Sequence, residues 1–186
     1  MAHVYRNIFI HGLGNVLGDR FVYRNTRSGK TIIARKPSFD DNRMYGETQR
    51  THLSAMLEAT TYASFAKVHD VYLNRELATG IVAYTIALAD WFAGPKVLQI
   101  DVDAWTGAPG ERIRVKARDN VAVAAVSVVI RDAQGNVLET GDAMQAETGG
   151  AWWIYTTQSR LKMTPFPSVE AIARDLPGNE DSFVIS

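Results

Sequence analysis

The four histidines, His3, His11, His52 and His69, are the side chains here best suited to proton transfer near neutral pH. His52 and His69 lie in a stretch of helical periodicity, but they are not three or four residues apart, the spacing a metal pair on one helix face requires. His69-Asp70 puts a carboxylate next to an imidazole in sequence, yet adjacent helix residues point in different directions. Neither an HExxH pair nor a GxSxG elbow occurs, and there is no cysteine to supply a thiolate. Any histidine-based active site would have to be assembled by the fold. The expectation is a protein that is not an enzyme, with no catalytic residues, no cofactor and no metal site.

Two glycine motifs suggest phosphate chemistry and fail on spacing. Residues 4–10 read as a strand running into Gly12 and Gly14, but the third glycine, Gly18, comes one residue late. The next apolar residues, Phe21-Val22-Tyr23, look like strand where a dinucleotide site needs a helix. Gly29-Lys30-Thr31 resembles the end of a P-loop, but Arg24 stands where its first glycine belongs. Asp101, Asp103, Asp119, Asp132 and Asp175 could offer oxygens to calcium only if several converged on one point. Their places near strand ends point to turn capping. Trp152, Trp153 and Tyr155 could form a sugar or protein contact; successive strand residues face opposite ways, so at least one tryptophan is expected in the core.

The elements that must carry these residues change character along the chain. Residues 19–25 and 30–36 flank the turn Thr26-Arg27-Ser28-Gly29 and predict a β-hairpin, with Phe21 and Tyr23 on one side and Ile32 and Ile33 adding apolar surface. Pro37 ends it, and residues 38–45 are a polar connection. A hairpin alone is marginal in water, so it must pack on its own chain or on a neighbour. The second choice makes it an assembly device through strand addition. Its candidate interface is Val4, Tyr5, Ile8, Phe9, Ile10, Arg20, Phe21, Tyr23, Arg24, Ile32, Ile33 and Arg35. Charge agrees: residues 1–50 hold nine Lys or Arg against four Asp or Glu, 9 − 4 = +5, in a chain of zero net charge, so the rest carries −5.

Thr48 or Thr51 can cap a helix that runs through Leu53, Met56, Leu57, Thr60, Ala63 or Phe65, Val68 and Tyr72. Beyond Gly80, a second helical pattern takes in Ile81, Tyr84, Ala87, Leu88, Trp91 and Phe92, and Gly94-Pro95 stops it. The pair predicts a helical hairpin whose apolar faces meet each other and the neighbouring sheet. Residues 81–92 are too few and too polar to span a bilayer, and residues 1–10 lack the apolar core of an ordinary signal peptide.

From residue 95 the composition turns to valine and alternation. Arg112-Ile113-Arg114-Val115-Lys116-Ala117-Arg118 sends Ile113, Val115 and Ala117 to one face and the cations to the other. Val126-Ser127-Val128-Val129-Ile130, Trp153-Ile154-Tyr155-Thr156 and Val169-Glu170-Ala171-Ile172-Ala173-Arg174-Asp175 continue as strands, the last followed by a Pro177-Gly178-Asn179 turn. In this order they resemble bacterial immunoglobulin-like domains over residues 95–186. The Ser28–Pro37 hairpin (SGKTIIARKP) and the glycine-rich turn before it resemble the arm of small uncharacterised bacterial proteins with a similar C-terminal sandwich.

The expected fold is α+β: a β-arm and helical hairpin over residues 1–94, then an immunoglobulin-like antiparallel sandwich over residues 95–186. The resemblance implies an adhesive, binding or structural role and brings no catalytic residue. The expected function is a structural subunit of a bacterial extracellular or phage assembly (filament, tube or coat), joined by strand addition and charge complementarity. A carbohydrate- or protein-binding adhesion module is the alternative. The partners are then further copies of the chain, or a surface glycan or protein; neither a membrane span nor nucleic acid is expected. The missing leader suits a virion or the cytoplasm better than ordinary secretion to a cell surface.

Overall fold

A computed structural model describes residues 2–4, 15–17, 21–25, 31–38 and 45–186. The chain divides into two compact units, residues 1–49 and 50–186.

The first unit contains a four-stranded antiparallel sheet of β1 (Ala2–Val4), β2 (Asn15–Leu17), β3 (Phe21–Asn25) and β4 (Thr31–Arg35), in the order β1-β4-β3-β2. The hairpin read from sequence is β3 and β4, with Phe21 opposite Arg35 and Asn25 opposite Thr31. The glycine-rich stretch, read as turns between strands, contains a strand of its own: Asn15-Val16-Leu17 pairs with Tyr23-Val22-Phe21.

Three helices follow, α1 (Glu47–Ala66), which crosses the boundary between the units, α2 (Asp70–Thr79) and α3 (Ala83–Trp91), where sequence periodicity predicted two. The first helical pattern breaks at residues 67–69 because His69 adopts an extended backbone and caps α2, its Nδ1 accepting from Val71 N at 3.3 Å. Gly80, at φ 69°, ends α2 in the left-handed region. Glu76 then accepts from Ala83 N at 3.0 Å and caps the start of α3.

Seven antiparallel strands complete the second unit: β5 (Lys96–Asp101), β6 (Arg112–Arg118), β7 (Val123–Arg131), β8 (Val137–Gln145), β9 (Trp152–Thr156), β10 (Ser168–Asp175) and β11 (Glu180–Ile185). Their order is β11-β10-β7-β8-β9-β6-β5. Residues 137–143 of β8 pair with β7 and its last two with β9, so the sheet turns at this strand and encloses one core. The edge strands approach each other where Val97 N donates to Asp181 Oδ2 at 2.8 Å. The body is thus a barrel-like β-sandwich, and the chain has the α+β class expected from its sequence.

Alternation positions the core. Ile113, Val115 and Ala117 of β6, Val126, Val128 and Ile130 of β7, and Val169, Ala171 and Ala173 of β10 are all buried, with Trp105, Trp153 and Tyr155 among them. Gly141 lets the Tyr155 ring lie against β8: a Cβ there would stand 2.9 Å from the ring. A second small cluster, Ala63, Tyr72, Ala83 and Ala87, joins the helices to Val121 and Leu176 of the sandwich.

Candidate functional site

Of the arm residues expected at an interface, Val4 lies in β1, Phe21, Tyr23 and Arg24 in β3, and Ile32, Ile33 and Arg35 in β4. Tyr5, Ile8, Phe9, Ile10 and Arg20 lie outside the described residues. Strands β3 and β4 are the inner pair of their sheet, so both of their sides face a partner strand. Among the described residues its two edges are β1 and β2.

The aromatic trio divides between the two faces of β9. Trp153 and Tyr155 point into the core, and Trp152 points out. The Arg114 guanidinium lies 4.5 Å from the Trp152 ring centroid and the Lys116 ammonium 5.5 Å from it. Four of the five aspartates weighed as calcium ligands cap their own turns. Asp119 Oδ2 accepts from Val121 N and Ala122 N, Asp132 Oδ1 from Gln134 N and Asn136 N, and Asp175 Oδ1 from Gly178 N and Asn179 N. Asp101 Oδ1 accepts from Asp103 N at 3.2 Å, and its other oxygen pairs with Arg114. His52 is exposed on α1, and His69 is the α2 cap already described.

Sequence reading missed a buried polar joint between the helices and the sandwich. Asp90, completely buried on α3, accepts from the Tyr72 hydroxyl at 2.6 Å, and Tyr72 and Tyr62 share a hydrogen bond of 2.7 Å. Asp119 lies close enough for its charge to act on Asp90. One oxygen on each of these two carboxylates, Oδ1, is buried without a partner. Burial pushes the Asp90 carboxyl up to about 7; the Tyr72 hydroxyl opposes this, and the charges of Asp119 and Asp175 add to it. The signal was present in sequence: Ala83, Ala87 and Asp90 share one stripe of α3, placing a lone acid on its buried face.

Glu139 is the second missed group. Its carboxylate accepts from Tyr155 Oη at 2.6 Å, Gln158 N at 2.7 Å and Ser159 N at 2.9 Å. Desolvation would raise its pKa, but these bonds outweigh that and hold it below the usual glutamate range. Glu139 thus fastens β8 to β9 and to the residues that follow it.

The helices correct a further expectation. Leu53, Met56, Leu57, Phe65 and Val68, expected to meet the second helix and the sheet, are all exposed among the described residues, Phe65 by 78%. The face that α1 buries consists of Ala59 and Ala63, whose small side chains allow close packing and leave the larger ones outside. Leu77 on α2 and Val82 and Phe92 beside α3 are exposed as well. Among the described residues no helix is long and apolar enough to cross a membrane.

No family profile matches the chain, and no curated protein sequence does. Two solved structures share part of it. One is CopC from Methylosinus trichosporium OB3b, 14% identical over 48% of this chain and 87% of its own, with a TM-score of 0.36. The other is an engineered protein, 16% identical over 56% of this chain and 26% of its own, with a TM-score of 0.32.

Proposed function

We propose that the chain is a non-catalytic structural subunit that joins copies of itself into a bacterial extracellular or phage assembly. The observation that carries this reading is the uncovered apolar surface of the helices, Leu53, Met56, Leu57, Phe65, Val68 and Leu77. Large apolar side chains exposed in this number suit contact with a partner. The N-terminal sheet adds a second means of joining, since among the described residues β1 and β2 are its edge strands and suit strand addition. The excess of positive charge in residues 1–50 over the negative remainder supplies orientation. A contact between two different patches repeats head to tail, giving a ring or an open filament. The immunoglobulin-like resemblance of residues 95–186 supports a scaffold role for the body.

Light scattering on the purified chain, followed by negative-stain imaging of any large fraction, tests the proposal. Regular filaments, tubes or rings are expected. A clean monomer across protein and salt concentration would overturn it.

A further inference from the structure

We infer that the outward face of β5, β6 and β9 binds an acidic polysaccharide. Arg112, Arg114, Lys116 and Arg118 occupy alternate outward positions of β6, each about 6.8 Å from the next. Lys96 of β5 lies directly opposite Arg118. Of these five cations, Arg114 alone has a carboxylate partner among the described residues, Asp101 at 3.5 Å. Like charges directly across two strands destabilise a sheet. The whole chain holds as many acidic as basic residues, so overall composition does not explain the local excess. An anion bound along the row would relieve this repulsion.

The row ends at an open cleft of about 780 Å³, lined by Lys96, Arg118 and Arg75 and by the Gly149-Gly150 turn. Arg75 is held in place by Asn120 O at 2.9 Å and Val121 O at 3.3 Å, both neutral acceptors that leave its charge uncompensated. Asp119 is the acid in the lining, and its Oδ2 is taken up by the turn amides of Val121 and Ala122. The cleft therefore extends the positive strip.

Trp152 decides between classes of polyanion. It lies opposite Lys116, and its neighbours across the outward face are aliphatic or polar: Ile154 opposite Arg114, Met144 opposite Ile154, and Thr156 opposite Arg112. A single-stranded nucleic acid stacks successive bases on successive aromatic rings, and this face has one. One indole beside a row of cations suits a chain of charged sugars: the ring takes the C–H face of a sugar, and the cations take its carboxylates or sulfates.

The test uses the full chain with alginate as the polyuronate, neutral dextran as the uncharged control and a single-stranded DNA oligonucleotide as the competing class, by affinity electrophoresis and calorimetry. Alginate binding that weakens with salt is expected, with no binding to dextran and weaker binding to DNA. Lys96→Gln, Lys116→Gln and Arg118→Gln should each weaken alginate binding by about twofold to fivefold. Arg118→Gln should melt no lower than the wild type, because it removes the repulsion with Lys96. Failure to bind alginate, equal retention by dextran or tighter binding to DNA would overturn the inference. So would a lower melting temperature for Arg118→Gln, which would make that cation a structural group.

Discussion

Asp90 links pH to stability. Burial, then the neighbouring charges of Asp119 and Asp175, hold its folded-state pKa at about 7 against the bond from Tyr72. The unfolded chain gives up the same proton in the ordinary aspartate range. Between those values the folded state binds one more proton than the unfolded state, so this group's stabilisation is complete at acid pH and is lost as pH rises through about 7. Asp90→Asn keeps the shape and still accepts from Tyr72. Its melting temperature should exceed that of the wild type at about pH 8, and the gap should narrow at about pH 5. An unchanged pH profile would remove Asp90 as the titrating group.

Glu139 acts in the opposite direction. Its folded pKa is lowered, so its contribution is present above the ordinary glutamate range and is lost as the solution is acidified through the folded value. Tyr155→Phe removes one of the three bonds to this carboxylate and should cost about 1–3 kcal/mol in denaturant unfolding at neutral pH.

At the scale of elements, β6 and α1 make opposite cases. The alternation of β6 named its inward residues correctly, because a strand has two faces and the apolar one is covered in any sandwich. Periodicity in α1 grouped Leu53, Met56 and Leu57 just as clearly, but it could not say whether that face meets its own chain. The structure buries Ala59 and Ala63 instead. Leu57→Lys and Phe65→Lys should therefore change unfolding free energy by no more than about 0.5 kcal/mol, while shifting the mass distribution toward smaller species. A large loss of stability would mean that these side chains are covered within the monomer.

For the whole molecule, the division at residues 49 and 50 frames a deletion experiment. The second unit has its own core, built from residues 97–185 together with the small helical cluster. A chain lacking residues 1–37 should remain folded, with its near-UV spectrum intact, and should lose the high-mass fraction. An unfolded or aggregated product would show that the body depends on the arm. If charge complementarity joins copies, salt should reduce assembly of the intact chain, since exposed charges are screened over about 8–10 Å at moderate ionic strength.

Local pattern was enough for the α+β class and for the turns and strands of the sandwich, because alternation and turn chemistry act within a few residues. The His69 cap shows the limit even of local rules: an apolar pattern continued across residues 67–69 while the backbone broke there. Contacts between distant parts of the chain set which apolar helix residues were buried, which ring of Trp152, Trp153 and Tyr155 turned outward, and that Asp90 of α3 would feel the charge of Asp119, just after β6. Those outcomes depend on what lies opposite each face, and residues far apart in the chain supply it.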